Sequence, residues 1–206
     1  MNAEFWDTRY NPATGFLYGT APNDFLASQV SRLPRCSRVL SLGEGEGRNA
    51  VFLAKLGHTV HCIDLSKVGL EKAALLATEN GVGELVTTEV VDLDKRCSGS
   101  GGGDDKLDCV LSVWCHLPSD LEKRVLGMAA KALKTGGLVI LEHYSPKNIG
   151  RGTGGPQDAD LCIDPVALKN VLAEVGLKIV SLGDEVSEGK MHQGMSATVQ
   201  LVAQKV

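Results

Sequence analysis

Residues 39–49, VLSLGEGEGRN, give the strongest indication of how this chain folds. This stretch is a short apolar run that breaks into three alternating glycines, Gly43, Gly45 and Gly47, and then enters a helical pattern. A second apolar run follows and ends on Asp64. The order strand, glycine-rich turn, helix, strand, acidic residue is how an α/β sheet binds a nucleoside-bearing cofactor at the carboxyl ends of its strands. The glycines allow close approach to the backbone, and the Asp64 carboxylate can accept hydrogen bonds from both ribose hydroxyls.

The spacing and charge of this loop distinguish between cofactors. Its glycines are spaced G-x-G-x-G, and Arg48 stands where a dinucleotide fingerprint carries its third glycine. The loop also carries Glu44 and Glu46, whose carboxylates would repel a pyrophosphate. Beside the sulfonium and ammonium groups of S-adenosylmethionine they are harmless or attractive. The loop therefore favours a methyl-donor site over a nicotinamide or flavin site, and a tight turn without a ligand is the structural alternative.

Composition limits the class of protein. The chain has 206 residues, 43% of them hydrophobic, and a formal net charge of −4. These values are ordinary for a globular protein, and an acidic balance argues against a duplex nucleic acid partner. We find neither an apolar run long enough for a bilayer nor a signal peptide pattern. We expect a cytoplasmic protein without a membrane partner, as a monomer or homodimer.

The six cysteines predict neither a disulfide framework nor a metal site. They form no C-x-x-C pair, and most fit buried, reduced thiols. We therefore expect no bound metal. Cys115 is the one cysteine whose role stays open, because it directly follows a predicted strand.

Hydrophobic patterning predicts one domain over 1–206. Within it, 1–35 is expected to be an N-terminal helix and lid region, and 98–105, SGSGGGDD, a flexible surface loop. Strands are predicted at 38–42, 59–63, 86–91, 108–113, 137–143, 177–185 and 195–204. Helices are predicted at 23–33, 48–57, 66–80, 119–134 and from 164 onward. Ser119 and Glu122 form a capping-box pattern at the start of one helix.

The alternation of strands and helices predicts a mostly parallel sheet with helices on both faces. No helix separates the last two strands, so they are expected to form an antiparallel hairpin. The predicted fold class is therefore α/β, with seven strands in a Rossmann-like sheet.

Several segments carry a family resemblance, namely Tyr18–Asn23, Glu44–Asn49, Asp64–Ser66, Cys115–Pro118, Gly136–Gly137 and Gly152–Pro156. With them the chain resembles class I S-adenosylmethionine-dependent methyltransferases, and within these the tellurite-resistance (TehB-like) group of small single-domain enzymes. The resemblance covers nearly the whole chain. It implies the class I methyltransferase sheet, S-adenosyl-L-methionine as cofactor and methyl transfer as the activity.

The resemblance also implies the cofactor contacts, which are Gly43, Glu44, Gly45, Gly47, Asn49, Asp64, Leu65, Asp92, Leu93 and Trp114. Among them, Asp64 would hold the ribose hydroxyls, Asp92 would contact the adenine, and Trp114 would lie near the reactive end. Many family members carry an acidic residue at the position of Ser41. We therefore expect Glu44 to contact the cofactor's amino group instead.

Three histidines are the candidate catalytic residues. His116 and His143 each follow a predicted strand, and the carboxyl ends of strands face the ligand crevice. His192 precedes the last strand, where the resemblance implies a histidine followed by an arginine. Gln193 replaces that arginine, which removes cationic help for an oxyanion. The alternative for each histidine is a packing or capping role.

Three further residues are candidates for binding the acceptor. Tyr144 ends a predicted strand at the crevice, and Arg151 lies in a long glycine-rich segment of the kind that often forms a lid. Tyr18 belongs to an aromatic N-terminal stretch that either folds over the cofactor or packs at the sheet edge. A solvated loop position is the alternative for Arg151.

These observations predict methyl transfer from S-adenosylmethionine to a small molecule, either a thiol or an oxyanion of tellurium, selenium or arsenic. Two alternatives stay open at this stage. One is a non-catalytic, methyltransferase-like module that binds the cofactor and serves as a partner subunit. The other is a nicotinamide-dependent reductase, against which the acidic loop argues.

Overall fold

The computed structural model describes residues 2–11, 15–98, 106–183 and 195–206. It contains seven strands: β1 Arg38–Leu42, β2 Thr59–Asp64, β3 Val86–Val90, β4 Leu107–Val113, β5 Leu133–Tyr144, β6 Leu177–Gly183 and β7 Thr198–Lys205. The described α-helices are α1 Ala3–Arg9, α2 Asp24–Gln29, α3 Arg48–Lys55, α4 Lys67–Glu79, α5 Leu93–Ser98, α6 Ser119–Ala132 and α7 Pro165–Glu174.

All seven strands form one sheet in the order β3-β2-β1-β4-β5-β7-β6. Strands β1 to β5 pair in parallel, and β7 pairs antiparallel with both β5 and β6. This confirms the predicted seven-stranded α/β sheet with its antiparallel C-terminal hairpin. The strand order reverses between β1 and β4, and ligands of such sheets bind outside the carboxyl ends of the strands at this switch point.

Both faces of the sheet are covered by helices. Leu40 and Leu42 of β1 lie in one apolar cluster with residues of α6 and α7. Val39 of the same strand lies in the opposite cluster with residues of α3 and α4. Because successive side chains of a strand point to opposite faces, a strand buried on both faces reads as a continuous apolar run. This explains why β1 is so easily recognised in the sequence.

Two short helices were not predicted. Helix α1 begins after Asn2, whose Oδ1 accepts a hydrogen bond from the backbone N–H of Phe5 at 3.0 Å. Helix α5 follows Asp92, whose Oδ1 accepts from the N–H of Asp94 at 3.0 Å. The region predicted as one helix at 23–33 divides into α2 and a 3-10 turn at Val30–Arg32. Residues 99–105 of the predicted loop 98–105 lie outside the described residues.

The predicted capping box of α6 is wrong. The helix already includes Ser119, and Pro118 occupies the position before it. Asp160 supplies the cap instead, because its Oδ1 accepts from the Ser119 N–H at 3.1 Å and its carbonyl accepts from Ser119 Oγ at 3.3 Å. Glu122 does not take part in the cap and is buried, with 8% exposure. Among the described residues, its Oε2 has no hydrogen-bond partner.

Burial of Glu122 makes stability depend on pH. Burial raises the pKa of this carboxyl from 4.5 to about 8, so the folded protein holds a proton that the unfolded chain loses first. Stability contributed by the protonated acid is full below pH 4.5 and is lost as pH rises towards 8. Between about pH 5 and 8, wild-type protein should lose on the order of 3 kcal/mol more unfolding free energy than Glu122→Gln.

Urea unfolding at several pH values measures this difference. Glu71→Gln is the matched control, because Glu71 is an exposed residue on α4 that faces Lys67 at 3.7 Å. Its pH curve should run parallel to that of the wild type. Parallel curves for wild type and Glu122→Gln would contradict the expectation.

Candidate active site

A cavity of about 810 Å³ opens at the carboxyl ends of β1, β2 and β4, where the strand order reverses. Its volume lies within the ~300–1,000 Å³ typical of small-molecule sites. The predicted cofactor residues that line it are Gly43, Glu44, Asn49, Asp64, Leu65, Asp92, Leu93 and Trp114. Eight of the ten predicted cofactor residues therefore line one cavity. Gly45 and Gly47 do not line the cavity, and the reason lies in how the loop packs.

The glycines of the loop are required by contacts within the protein. A Cβ on Gly45 would lie 2.7 Å from the hydroxyl oxygen of Tyr10, and a Cβ on Gly47 would lie 2.7 Å from the Cα of Ala73. Both glycines also have positive φ angles, +63° and +90°, which side chains rarely adopt. Tyr10 and α4 thus occupy the space beside Gly45 and Gly47.

Asp64 joins the two turns that frame the cavity. Its Oδ2 accepts from the N–H of Gly45 at 2.9 Å, and its Oδ1 accepts from the N–H of Ser66 at 2.8 Å. Burial raises the pKa of Asp64, and the hydrogen bonds from Ser66 and Gly45 counteract that rise. Because Asp64 also lines the cavity, its carboxylate can accept a hydrogen bond from a ligand as well.

Glu44 caps helix α3 from within the loop. Its Oε1 accepts from the N–H of Asn49 at 3.1 Å and from that of Ala50 at 2.9 Å. Its Oε2 accepts a hydrogen bond from Ser41 Oγ. Burial raises the pKa of Glu44, while these three hydrogen bonds act to lower it. Ser41, which stands at the family's acidic position, thus helps to anchor Glu44 at the cavity wall.

Helix α1 covers the cavity. Its Trp6 and the following Tyr10 both line the wall, and their rings stack with centroids 5.5 Å apart. Asp7 fastens α1 to the start of α4, where its Oδ1 accepts from Ser66 Oγ at 2.6 Å and from the Val68 N–H at 3.2 Å. Tyr18 of the same aromatic N-terminal stretch also lines the cavity, whereas Phe16 packs against the apolar cluster that contains residues of α3 and α4.

A buried ion pair anchors both sides of this cover. Lys72 Nζ donates to Glu46 Oε1 and to the carbonyl oxygens of Tyr10 and Gly15. The other carboxylate oxygen, Glu46 Oε2, accepts from the N–H of Leu17 at 2.8 Å. The second glutamate of the loop therefore holds the N-terminal segment in place through Lys72.

The end of β4 forms the opposite wall of the cavity. Trp114 has φ +57°, a strained value for an aromatic residue, and its N–H donates to the carbonyl of Glu142 at 2.9 Å. His116 also lines the cavity, and its ring lies 5.5 Å from that of Tyr144 at an interplanar angle of 29°. A Cβ on Gly155 would lie 2.5 Å from the Tyr144 ring, so the backbone of Gly155 packs closely against the ring on which His116 stacks.

The remaining predicted site residues lie at different depths. Tyr18 lines the cavity, whereas Tyr144 lies behind His116. His143 is buried, and its Nε2 lies 2.9 Å from Ser112 Oγ. Burial lowers the pKa of His143 well below its usual value, and neighbouring His116 lowers it further. The ring of His143 is therefore neutral.

The last two predicted site residues are Arg151 and His192. Arg151 is exposed and does not line the cavity, and its guanidinium donates to the carbonyl of Lys147 at 3.0 Å and to that of Met195 at 3.3 Å. His192 lies outside the described residues.

The cysteines are all free thiols. Cys115 lines the cavity, and burial raises the pKa of its thiol well above the usual value, with Glu122 and Asp64 adding to the rise. The thiol is therefore protonated, which does not suit a nucleophile. Within the described ranges, no group of three or more His, Cys, Asp or Glu side chains is placed to hold a metal ion. None of the described helices is long and apolar enough to cross a bilayer.

The Glu46–Lys72 pair should be important for stability. Lys72→Met leaves the Glu46 carboxylate buried and unpaired, so we expect it to lower the unfolding free energy by about 3 kcal/mol. The double variant Glu46→Gln/Lys72→Met should be less destabilised than Lys72→Met alone. Lys67→Met, on the same helix with a side chain 73% exposed, is the control and should have little effect. Urea unfolding gives all three values, and a stability of Lys72→Met equal to wild type would contradict this role.

Comparison with protein families gives a match that contains the glycine-rich loop. Residues 39–137 match a family described as a methyltransferase domain. The chain is also 35% identical over 92 residues to the ribosomal protein L11 methyltransferase of an Exiguobacterium species. This alignment covers 43% of the chain but 30% of the relative, so the chain matches less than a third of that protein.

Solved structures share the fold over almost the whole chain. TehB from Haemophilus influenzae has a TM-score of 0.72 at 15% identity, covering 99% of this chain and 67% of that one. An S-adenosylmethionine-dependent methyltransferase from Aquifex aeolicus has a TM-score of 0.66 at 15% identity, covering 100% of both chains. A methyltransferase of the same class from Methanosarcina mazei has a TM-score of 0.68 at 16% identity, with 86% and 96% covered.

At these identities the solved structures establish the fold, and TehB is one of several neighbours rather than a favoured one. The family match, the strand order and the cavity at the switch point agree with each other. Residues 39–137 are therefore similar to a methyltransferase domain, the sheet around them has the class I methyltransferase strand order, and S-adenosylmethionine is the cofactor that this similarity implies.

Proposed function

We propose that this chain transfers the methyl group of S-adenosylmethionine to a small-molecule acceptor, either a thiol or an oxyanion of tellurium, selenium or arsenic. The observation that carries the proposal is the continuity of the cavity. One space of about 810 Å³ joins Asp64 and the glycine-rich loop to His116 at the end of β4. Such a volume suits a cofactor and a small second substrate.

Residues at the carboxyl ends of β2 and β3 would hold the nucleoside part of the cofactor. Asp64, which lines the cavity, accepts from the ribose hydroxyls. Leu65 and Leu93, which both line the cavity, cover the adenine ring. Asp92, which also lines the cavity, accepts from the adenine amino group.

The acidic residues of the cavity wall suit the positively charged methionine half of the cofactor. Glu44, Glu46 and Asp64 line the cavity near Gly43, and acidic groups stabilise a sulfonium and an ammonium. Glu44 is already bound by three donors, which leaves about one lone-pair position for the amino group of the cofactor. Gly43 and Asn49 complete the methionine side.

The cofactor supplies a methyl group on a positively charged sulfur. What the protein must add is alignment of the acceptor and exclusion of water. Trp6 and Tyr10 form the cover that excludes water. Trp114 and His116 bound the space left for the acceptor, and Tyr18 lines the same cavity.

Other predicted residues enter this proposal indirectly. His143 and Tyr144 position His116 from behind instead of touching the acceptor. For Arg151 and His192, contact with the acceptor remains a proposal that rests on the sequence.

Turnover to S-adenosylhomocysteine with a panel of small thiols and oxyanions tests the proposal. We expect product with at least one acceptor. Tight binding of S-adenosylmethionine without product from any acceptor would instead support a cofactor-binding partner subunit.

The role of Asp64 makes a separate prediction. Asp64→Asn removes the charged acceptor while keeping the shape of the side chain, so cofactor affinity should fall by about 1.5–3 kcal/mol, roughly 10- to 150-fold. Asp94→Asn is the matched control, since Asp94 also lines the cavity but faces Arg124 at 2.7 Å. Calorimetric titration with S-adenosylhomocysteine measures both variants. Equal affinities for wild type and Asp64→Asn would refute the assignment of the ribose contact.

A further inference from the structure

We infer that the acceptor is an uncharged thiol on an apolar body, and that His116 takes its proton. This inference rests on the proposed methyl transfer and chooses between the two acceptor classes. It follows from how polar and charged groups are distributed around the cavity.

The β4 end of the cavity is apolar. We define the acceptor wall as Trp114, His116, Leu117, Pro118, Leu121 and Leu161, all of which line the cavity. Five of the six side chains are uncharged, and the sixth, His116, is the one that can take up a proton. The wall thus provides an apolar surface with one group able to accept a proton, which fits an apolar molecule with a single reactive atom.

Charged groups lie elsewhere on the cavity lining, and their balance is acidic. Five carboxylates line the cavity, namely Glu44, Glu46, Asp64, Asp92 and Asp94. Three of them face cations: Glu46 faces Lys72, Asp92 faces Lys95 at 3.7 Å and Asp94 faces Arg124 at 2.7 Å. The other two, Glu44 and Asp64, outnumber Arg48, the further cation of the described lining. An oxyanion entering this space would be repelled by the excess of carboxylates. A neutral acceptor would not.

His116 is held in a fixed place. Its ring stacks on Tyr144 at 5.5 Å and meets the edge of His143 at 5.5 Å, with an interplanar angle of 71°. His143 is in turn bound to Ser112. A reactive group supported by packed neighbours keeps its geometry without reorganisation during the reaction.

The acidity of the acceptor selects a thiol over other neutral groups. A cysteine-like thiol has an ordinary pKa of ~8.5, so it gives up its proton to an imidazole more readily than a phenol at ~10 does. An aliphatic alcohol is a much weaker acid still, and an alkyl amine arrives already charged. In the reaction, the thiol S–H bond breaks as its proton passes to the imidazole. The acceptor's sulfur then forms its bond to the methyl carbon as the donor's sulfonium C–S bond breaks, which yields a methyl thioether and S-adenosylhomocysteine.

Two thiols of similar shape test the proton transfer. Phenylmethanethiol is protonated at neutral pH, whereas 4-nitrobenzenethiol is already ionised and needs no base. His116→Gln should lower turnover of phenylmethanethiol about 100-fold and that of 4-nitrobenzenethiol by less than about threefold. His61→Gln is the control, because His61 lies on β2, bound to Thr87 and Glu89 away from the cavity. It should leave both turnovers unchanged.

The wild-type protein is assayed in parallel with selenite and tellurite. Turnover of the thiols and not of the oxyanions supports the inference. Turnover of an oxyanion and of no thiol overturns it while methyl transfer itself stands. An equal loss for both thiols in His116→Gln, with cofactor binding by calorimetry unchanged, overturns the proton-acceptor role. Cofactor binding without turnover of any acceptor counts against the proposed function instead.

Discussion

The carboxylate of Asp64 is the interaction on which the rest of the site depends. It ends β2 and accepts hydrogen bonds from the N–H groups of Gly45 and Ser66, which belong to the turns after β1 and β2. These two turns meet at the switch point of the sheet, so one side chain sets the shape of the cavity floor. Ser66 also contacts Asp7, which links the floor to the covering helix α1. The turns that form the cavity floor and the covering helix α1 are therefore linked by hydrogen bonds.

The acidic residues of the glycine-rich loop have two tasks at once. Glu44 caps α3, and Glu46 anchors the N-terminal segment through Lys72. Both also line the cavity, where their charge favours a cationic ligand. This explains why a loop that would repel a pyrophosphate suits a sulfonium donor. The apolar wall at the end of β4 completes a cavity that is acidic on one side and apolar on the other.

Local patterns in the sequence were sufficient for the sheet and the glycine-rich loop, because period and turn chemistry are local properties. The family resemblance added eight expected cofactor contacts that line the cavity. Contacts between residues far apart in the chain could not be predicted from the sequence. Gly45 and Gly47 look like cofactor contacts in the sequence, yet Tyr10 and Ala73 fill the space beside them. The cap of α6 comes from Asp160, far along the chain, and no local pattern marks it.

Calorimetric titration of the purified protein shows whether the cavity binds a sulfonium donor. The titrants are S-adenosylmethionine, S-adenosylhomocysteine and NADH. We expect binding of the first two at micromolar concentration and no binding of NADH, whose pyrophosphate would meet the carboxylates of the loop. Binding of NADH alone would contradict the interpretation of the loop and every role assigned from it.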